Sequence, residues 1–202
     1  SFFEDNEQQT LKVLLWSLDR FRKNKELAKV TTNILSLYFV HASGDQMTHL
    51  ASENLVILLR KLVPFQETME KLSAILYFLV QHALASTLSV MWDEEMFLAI
   101  KEFLVPLSAK KGFDQKESMT ILNFCTVFLE MSKSTEGKAL LTNIEMNQAV
   151  SALSRSANQD IVSLSSKIMS NLSSSDQGSI EAGAVSALIS MSLTSLTSDS
   201  MS

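Results

Sequence analysis

Three histidines, one cysteine and a pair of adjacent glutamates are the side chains in this sequence with the most scope for chemistry. Zinc sites bring histidine, cysteine and carboxylate ligands together, often from one face of a helix. His41 and His49 instead flank the turn at Gly44, and His82 lies within an apolar run. We therefore predict structural or surface roles for the histidines and expect no metal site.

The adjacent glutamates, Glu94 and Glu95, follow Asp93 at the start of a predicted helix. Neighbouring helix residues point in different directions, which does not suit an acid/base pair, whereas acidic residues at a helix start favour the helix dipole. The sequence also lacks glycine-rich phosphate-binding motifs and the nucleophile motif G-x-S-x-G. We therefore expect a protein that is not an enzyme and that binds no cofactor.

The single cysteine, Cys125, lies in the apolar run ILNFCTVFLEM, which has helical periodicity. One cysteine excludes an internal disulfide framework and a cysteine-rich zinc site. A cysteine inside an apolar helix is more often a structural thiol than a nucleophile. We therefore predict a buried thiol in a protein of a reducing compartment, cytoplasmic or nuclear.

The charge balance is mildly acidic, with 17 basic and 22 acidic residues and a net charge of −5. This balance argues against nucleic acid as the main partner. Five basic residues nevertheless cluster near the end of the first predicted helix: Arg20, Arg22, Lys23, Lys25 and Lys29. Cations at a helix end complement the helix dipole, and a basic ligand-docking patch is the alternative interpretation.

The segment from Leu72 to Met91 contains twenty residues without a formal charge, a length that could cross a bilayer. Gln81 and His82 lie near its centre, and four serine and threonine residues dilute its apolar character. We therefore predict a buried helix in the protein rather than a membrane insertion.

The chain as a whole is predicted to be all-α. Five glycines and two prolines are few for 202 residues, and 46% of the residues are hydrophobic. Apolar residues recur at helical spacing almost throughout, while alternation with period two is not sustained. The predicted helices cover 8–22, 27–41, 47–63, 66–85, 93–109, 114–132, 145–156, 159–174 and 179–194.

A repeat of about 42 residues underlies the order of these helices. The pentapeptide AVSAL occurs at 149–153 and again at 184–188, which is 35 residues later. Leucines near the ends of four helices are spaced by 42, 50 and 43 residues: Leu37, Leu79, Leu129 and Leu172. A second set of helices alternates with these four, and two main helices per repeat are typical of stacked helical repeats.

The stretch from Asn158 to Met191 resembles the junction of two armadillo repeats. Its motif MSNL, residues 169–172, is similar to the end of the family's third helix, and EAGAVSAL, residues 181–188, is similar to the start of its second helix. The resemblance implies a right-handed α-α superhelix of four to five armadillo-like repeats over residues 1–202, with HEAT repeats as a close alternative. Because the first helix takes the place of a second repeat helix, we expect a fragment of a longer chain.

In armadillo proteins the third helices line a concave groove, so the resemblance implies a non-enzymatic scaffold that binds another protein there as a helix or extended peptide. The candidate groove residues are Thr32, Ser36, Ala74, Phe78, Phe128, Lys167 and Asn171. Only Asn171 matches the asparagine with which the family grips a peptide backbone, so binding of the importin type is not expected. Self-association, or a regulatory role beside a catalytic domain elsewhere in a larger protein, is the alternative.

Two aromatic residues outside that groove are further candidates for binding. Trp92 lies at a turn beside acidic residues, where it is either a binding anchor or packed under the turn. Phe113 lies in the segment PLSAKKGFDQKE, which lengthens one repeat by about eight residues, and insertions in helical repeats form loops that often carry function.

Overall fold

The structure, a computed structural model, describes residues 2–21, 23–110 and 112–174, and the regular structure in these ranges is entirely helical. This confirms the all-α prediction. The main helices are α1 Phe2–Arg20, α2 Lys25–His41, α3 Gly44–Leu50, α4 Glu53–Leu62, α5 Met69–His82, α6 Ala85–Leu88, α7 Glu94–Ser108, α8 Gln115–Met131, α9 Thr135–Asn143, α10 Met146–Leu153 and α11, whose described part is 159–174. Short 3-10 helices at Gln66–Thr68 and Ser89–Met91 precede α5 and follow α6. The predicted helix 179–194, with the second AVSAL copy, lies outside the described residues.

The predicted helix 47–63 is divided in the structure into α3 and α4. Ser43 and Gln46 form a capping box, in which each side chain bonds to the other residue's backbone N–H, and α3 therefore starts at Gly44. Ser52 is the N-cap residue of α4, and its hydroxyl donates a hydrogen bond of 3.1 Å to the Leu50 carbonyl oxygen at the end of α3. The result is one short helix, α3, ahead of the longer helices α4 and α5.

Helix α9 is absent from the sequence prediction, which treats Ser134 to Gly137 as a break. Ser134 is the N-cap of α9, and its side chain accepts a hydrogen bond of 3.0 Å from the Gly137 N–H. Gly137 itself is buried against the end of α8, because a β-carbon there would lie 2.2 Å from the carbonyl oxygen of Met131. The glycine thus permits a close approach between two helices rather than ending one.

Seven of the described helices form two rows. Helices α2, α5 and α8 contact one another in that order, and α1, α4, α7 and α10 do the same in the second row. Helices α3, α6 and α9 each precede one helix of the second row in the chain, and α9 contacts both α8 and α10. This order agrees with the alternation of two helix sets in the sequence.

Aromatic side chains of α7 and α8 pack together and join the two rows near their middle. Phe97 of α7 and Phe124 and Phe128 of α8 are fully buried. The rings of Phe97 and Phe128 meet edge to face with centroids 6.2 Å apart, and the rings of Phe124 and Phe128 stack at 6.3 Å. Burying a phenylalanine side chain contributes ~1.5–3 kcal/mol, so this cluster anchors α7 on α8.

Side-chain contacts join successive parts of each row at intervals close to the predicted repeat. Lys61 pairs with Asp19, and Lys25 pairs with Glu67, each across 42 residues. Further links join Arg60 to Glu95, Lys116 to Glu70, and the Lys101 ammonium to the Ile144 carbonyl oxygen. Exposed ion pairs contribute only ~0–1 kcal/mol each. These contacts therefore show how the helices are aligned but stabilise the fold only slightly.

Candidate protein-binding surface

The thiol of Cys125 is fully buried in α8, as the sequence predicts. Burial raises the pKa of this thiol to about 12, and the Ser165 hydroxyl of α11 lowers it by a smaller amount. Because the thiolate is the reactive form, a thiol with so high a pKa is not a nucleophile near neutral pH. Cys125 is therefore part of the contact between α8 and α11.

The described ranges contain no group of three or more histidine, cysteine, aspartate or glutamate side chains that could hold a metal ion. In the same part of the chain, no helix combines the length and apolar character needed to cross a membrane. The uncharged segment at 72–91 instead contributes to α5, α6 and the second 3-10 helix.

Helix α2 has one face in the core and an apolar face in solvent. Ala28, Leu35 and Phe39 are buried on the inner side. The outer side carries four apolar residues that are about half exposed, at 46–65%: Val30, Ile34, Leu37 and Val40. Their spacing of four, three and three residues places them on one side of a helix. A helix that is apolar on both sides is suited to a second contact.

The neighbouring helix α5 presents a mixed face. Lys71 and His82 are exposed, and Ala74 and Phe78 are half-buried between them. The rings of Phe78 and His82 stack with centroids 6.3 Å apart and an angle of 19° between planes. Both Ala74 and Phe78 are among the predicted groove residues, and they share this face with the stacked histidine.

Helices α8 and α11 continue the row with more polar faces. Met119 is exposed at the start of α8, and Thr126 is half-buried further along. On α11, the predicted residue Lys167 is exposed, and Asn171 is half-buried. The Asn171 amide Nδ2 donates a hydrogen bond of 2.8 Å to Ser132 Oγ, which ties α11 to the end of α8.

We use the name row surface for the outward faces of these four helices, which are adjacent because α2, α5 and α8 contact one another in order and α11 is tied to α8. It consists of Val30, Ile34, Leu37 and Val40; Lys71, Ala74, Phe78 and His82; Met119, Thr126 and Leu129; and Ser163 and Lys167. Its character changes from apolar at α2 to polar at α11.

Four predicted groove residues do not belong to this surface: Asn171, whose amide bonds to Ser132, and three residues that are buried. Thr32, Ser36 and Phe128 are 1%, 8% and 0% exposed, so their side chains have almost no surface with which to contact a partner. Each lies one position before a residue that is at least partly exposed: Asn33, Leu37 and Leu129. One residue corresponds to a rotation of about 100° around a helix, so these three predicted positions differ by about one residue from the exposed side of their helices.

The row residues that the sequence prediction missed are mainly the apolar ones of α2. The sequence LAKVTTNILSLYFV does indicate an exposed apolar side, because its valine, isoleucine and leucine residues lie on two sides of the helix. Only one of those two sides is needed for packing on the core.

Trp92 lies between the second 3-10 helix and α7 and is half-buried. Its ring packs edge-on against the buried Phe97, with centroids 6.1 Å apart. The rest of the indole borders a shallow cleft that Glu130 of α8 and Lys133, just after α8, also line. Trp92 therefore packs under the turn and retains a partly open edge.

Phe113 lies in the loop between α7 and α8 and packs partly against the core. It lines a cleft of ≈ 520 Å³ together with Lys110 and Arg155. The loop ends at Asp114, whose side chain caps α8 by accepting a hydrogen bond of 2.7 Å from the Glu117 N–H. Of the inserted segment, the described residues 109, 110 and 112–114 lie between α7 and α8 beside this basic cleft, while its two ends belong to those helices.

Comparison of the chain with protein-family models, curated proteins and solved structures found no match. The class of this protein is defined by its fold: in the described ranges it is an all-helical protein whose helices lie in two rows. The row of α2, α5 and α8 has an exposed face that is apolar at its α2 end.

Proposed function

We propose that this chain is an armadillo-like helical-repeat protein that binds another protein along the row surface. The observation that carries the proposal is the order of helix contacts, with α2, α5 and α8 in one row and α1, α4, α7 and α10 in the other. Stacked repeats with two main helices per unit generate such rows, and they curve into a superhelix whose concave face is lined by one helix per repeat.

The composition of the row surface supports a protein partner. Interfaces combine apolar or aromatic anchors with a polar rim. The four half-exposed apolar residues of α2 and the Phe78 ring supply anchors, while Lys71 and Lys167 supply charged positions along the row. A partner helix or extended segment lying across these helices would bury the anchors and pair with the cations.

The position of Asn171 bears on how such a partner is held. Its amide nitrogen is already bonded to the Ser132 hydroxyl. Asn123 of α8 is engaged in the same way, because its Nδ2 donates to the Ser73 hydroxyl of α5 at 3.2 Å. Both asparagines therefore join neighbouring helices, which supports recognition through side-chain anchors rather than a row of asparagines bonded to a peptide backbone.

A variant with three exposed positions changed tests the proposal. Leu37→Glu, Lys71→Glu and Met119→Glu alter one residue on each of α2, α5 and α8 without removing a buried side chain. The control places three glutamates at exposed apolar residues outside the row surface: Val90, Leu98 and Val105. Partners are identified by proximity labelling with the wild-type chain, and their binding is then measured with purified proteins.

We expect the row variant to lose at least ten-fold in affinity for the purified partner, because two apolar side chains and one cation are removed. The control variant should keep the wild-type affinity. Equal affinities for the row variant and the wild type, with both proteins folded by circular dichroism, would refute binding at the row surface.

A further inference from the structure

The exposed apolar side chains of the described residues are concentrated in the first two helices and the turn between them. Seven of the twelve large hydrophobic residues with high exposure lie between 13 and 40: Val13, Trp16, Phe21, Val30, Ile34, Leu37 and Val40. The four on α2 form a continuous stripe about 15 Å long, at 1.5 Å per residue. Isolated exposed hydrophobic residues are ordinary, whereas a continuous stripe marks an interaction site.

The turn at one end of this stripe is strongly basic. Residues 20–40 contain five basic residues and one acidic residue, a formal charge of +4 in a chain whose total is −5. Within and beside the turn, Glu26 pairs with Lys29 at 3.1 Å and Glu67 pairs with Lys25 at 3.3 Å, so the inference depends on Arg20 and Lys23. Lys23 adopts a left-handed backbone conformation, with φ at 71°, and is exposed in this turn. The stripe itself, from Val30 to Val40, carries no formal charge.

The geometry points to a specific occupant for this face: an amphipathic helix of a partner protein, with apolar residues on one side and acidic residues at the end that lies beside the turn at 20–25. A partner helix of three to four turns matches the length of the stripe and would bury the side chains of Ile34 and Leu37. Acidic residues at its end would lie beside Arg20 and Lys23. This inference rests on the proposed function, since it identifies the partner class for the α2 end of the row surface.

Charge distinguishes this occupant from a second copy of the chain. Two copies packed through α2 in parallel would bring two turns of the same positive charge together, and like charges across an interface are unfavourable. An antiparallel pair would place each turn near the other copy's His41 and Asp45, so that one carboxylate would face a turn with several cations. An acidic helix instead complements both the apolar stripe and the basic turn.

Two designed peptides of about 14 residues, four helical turns, test the inference. They carry the same leucine stripe, and one has glutamate and the other lysine at the remaining positions near one end. Binding to the full chain is measured by fluorescence anisotropy. We expect saturable binding of the glutamate peptide with at least ten-fold higher affinity than the lysine peptide at low salt, and a smaller difference at high salt.

Variants of the chain locate the binding. Ile34→Glu with Leu37→Glu should abolish binding of the glutamate peptide, and Arg20→Glu with Lys23→Glu should reverse the preference between the peptides. The control with glutamates at Val90 and Leu98 should bind as the wild type does. Circular dichroism verifies that each variant is folded, and its exposed positions make unfolding unexpected.

Four results would overturn the inference: no saturable binding of the glutamate peptide, equal affinities for both peptides, cosedimentation with phosphatidylserine vesicles that Leu37→Glu removes, or a concentration-dependent dimer that the same change removes. The last two would assign the face to a membrane or to a second copy. A protein partner that depends on Lys71 and Met119 but not on Ile34 and Leu37 would leave the proposed function intact and refute the role of α2 alone.

Discussion

Gly137 lets the start of α9 lie directly against the backbone at the end of α8, and replacing this residue with alanine should destabilise the protein. The added β-carbon would lie 2.2 Å from the Met131 carbonyl oxygen and 2.8 Å from two further backbone atoms of that residue. Ordinary van der Waals contact begins at 3.4 Å, so the start of α9 must move by about 1.2 Å from α8. Because all three obstructing atoms are backbone atoms, no side-chain rotation relieves the clash.

The size of the effect follows from three contributions. Overpacking of this kind costs about 1–3 kcal/mol. Moving the start of α9 also strains the N-cap hydrogen bond from the Gly137 N–H to Ser134 Oγ, and losing an N-cap costs about 1 kcal/mol. The better helix propensity of alanine offsets up to about 1 kcal/mol. We therefore expect a loss of about 1–3 kcal/mol in the free energy of unfolding.

Thermal and urea unfolding followed by circular dichroism measures this loss. A destabilisation of 1 kcal/mol lowers the Tm of a chain of this size by about 2–4 °C, so the Tm of Gly137→Ala should fall by about 2–12 °C. Gly112→Ala is the matched control, because a β-carbon added there would meet no atom within 4 Å and the φ of Gly112 is not positive. It should leave the Tm unchanged or raise it slightly. An unchanged Tm for Gly137→Ala, or an equal fall for both variants, would refute the reasoning.

Three further predictions concern α8. The native Cys125 thiol should react with a disulfide reagent at pH 8 about 10³-fold more slowly than the unfolded chain, since a pKa of about 12 instead of 9.0 reduces the thiolate fraction by that factor. The same raised pKa contributes stability that is fully present below pH 9 and is lost as the pH rises from 9 towards 12, and alkaline unfolding measures this loss. Phe128→Glu should unfold the protein while Leu37→Glu leaves the Tm within a few degrees, because only the first places a charge in the core; similar melting curves for both would contradict the phase assigned to these helices. Asp114→Ala should cost about 1 kcal/mol through loss of the cap on α8, with Gln115→Ala as a control, and equal urea midpoints for the two variants would argue against that cap.

The helical class and the alternation of two helix sets were predictable because both depend on periodicity over long segments. Most boundaries of the long helices also agree with the prediction, as at α2, which is predicted over 27–41 and spans Lys25–His41. The departures are short-range: the turn at Ser52, whose hydroxyl bonds to the Leu50 carbonyl oxygen, divides α3 from α4, and a glycine that reads as a break permits α9. In both cases the local structure depends on one hydrogen bond or one close contact, and the periodicity of apolar residues does not predict such a contact.

The candidate surface was harder to predict than the helices because burial on a helix depends on its neighbours. Helix α5 lies between α2 and α8 and buries Leu72, Ile75, Leu76 and Leu79. Helix α2 has similar apolar residues on two sides, yet leaves one stripe of them half exposed. The sequence pattern of the two helices is alike, so the pattern alone does not say which apolar side is covered. Phase adds a second uncertainty, as Ser36 and Leu37 show: one is buried and the other is 65% exposed, although they are adjacent. A prediction of surface residues in a row of helices therefore requires the packing order as well as the period, and it is the packing order that moves the candidate site from the buried Phe128 to the exposed stripe of α2.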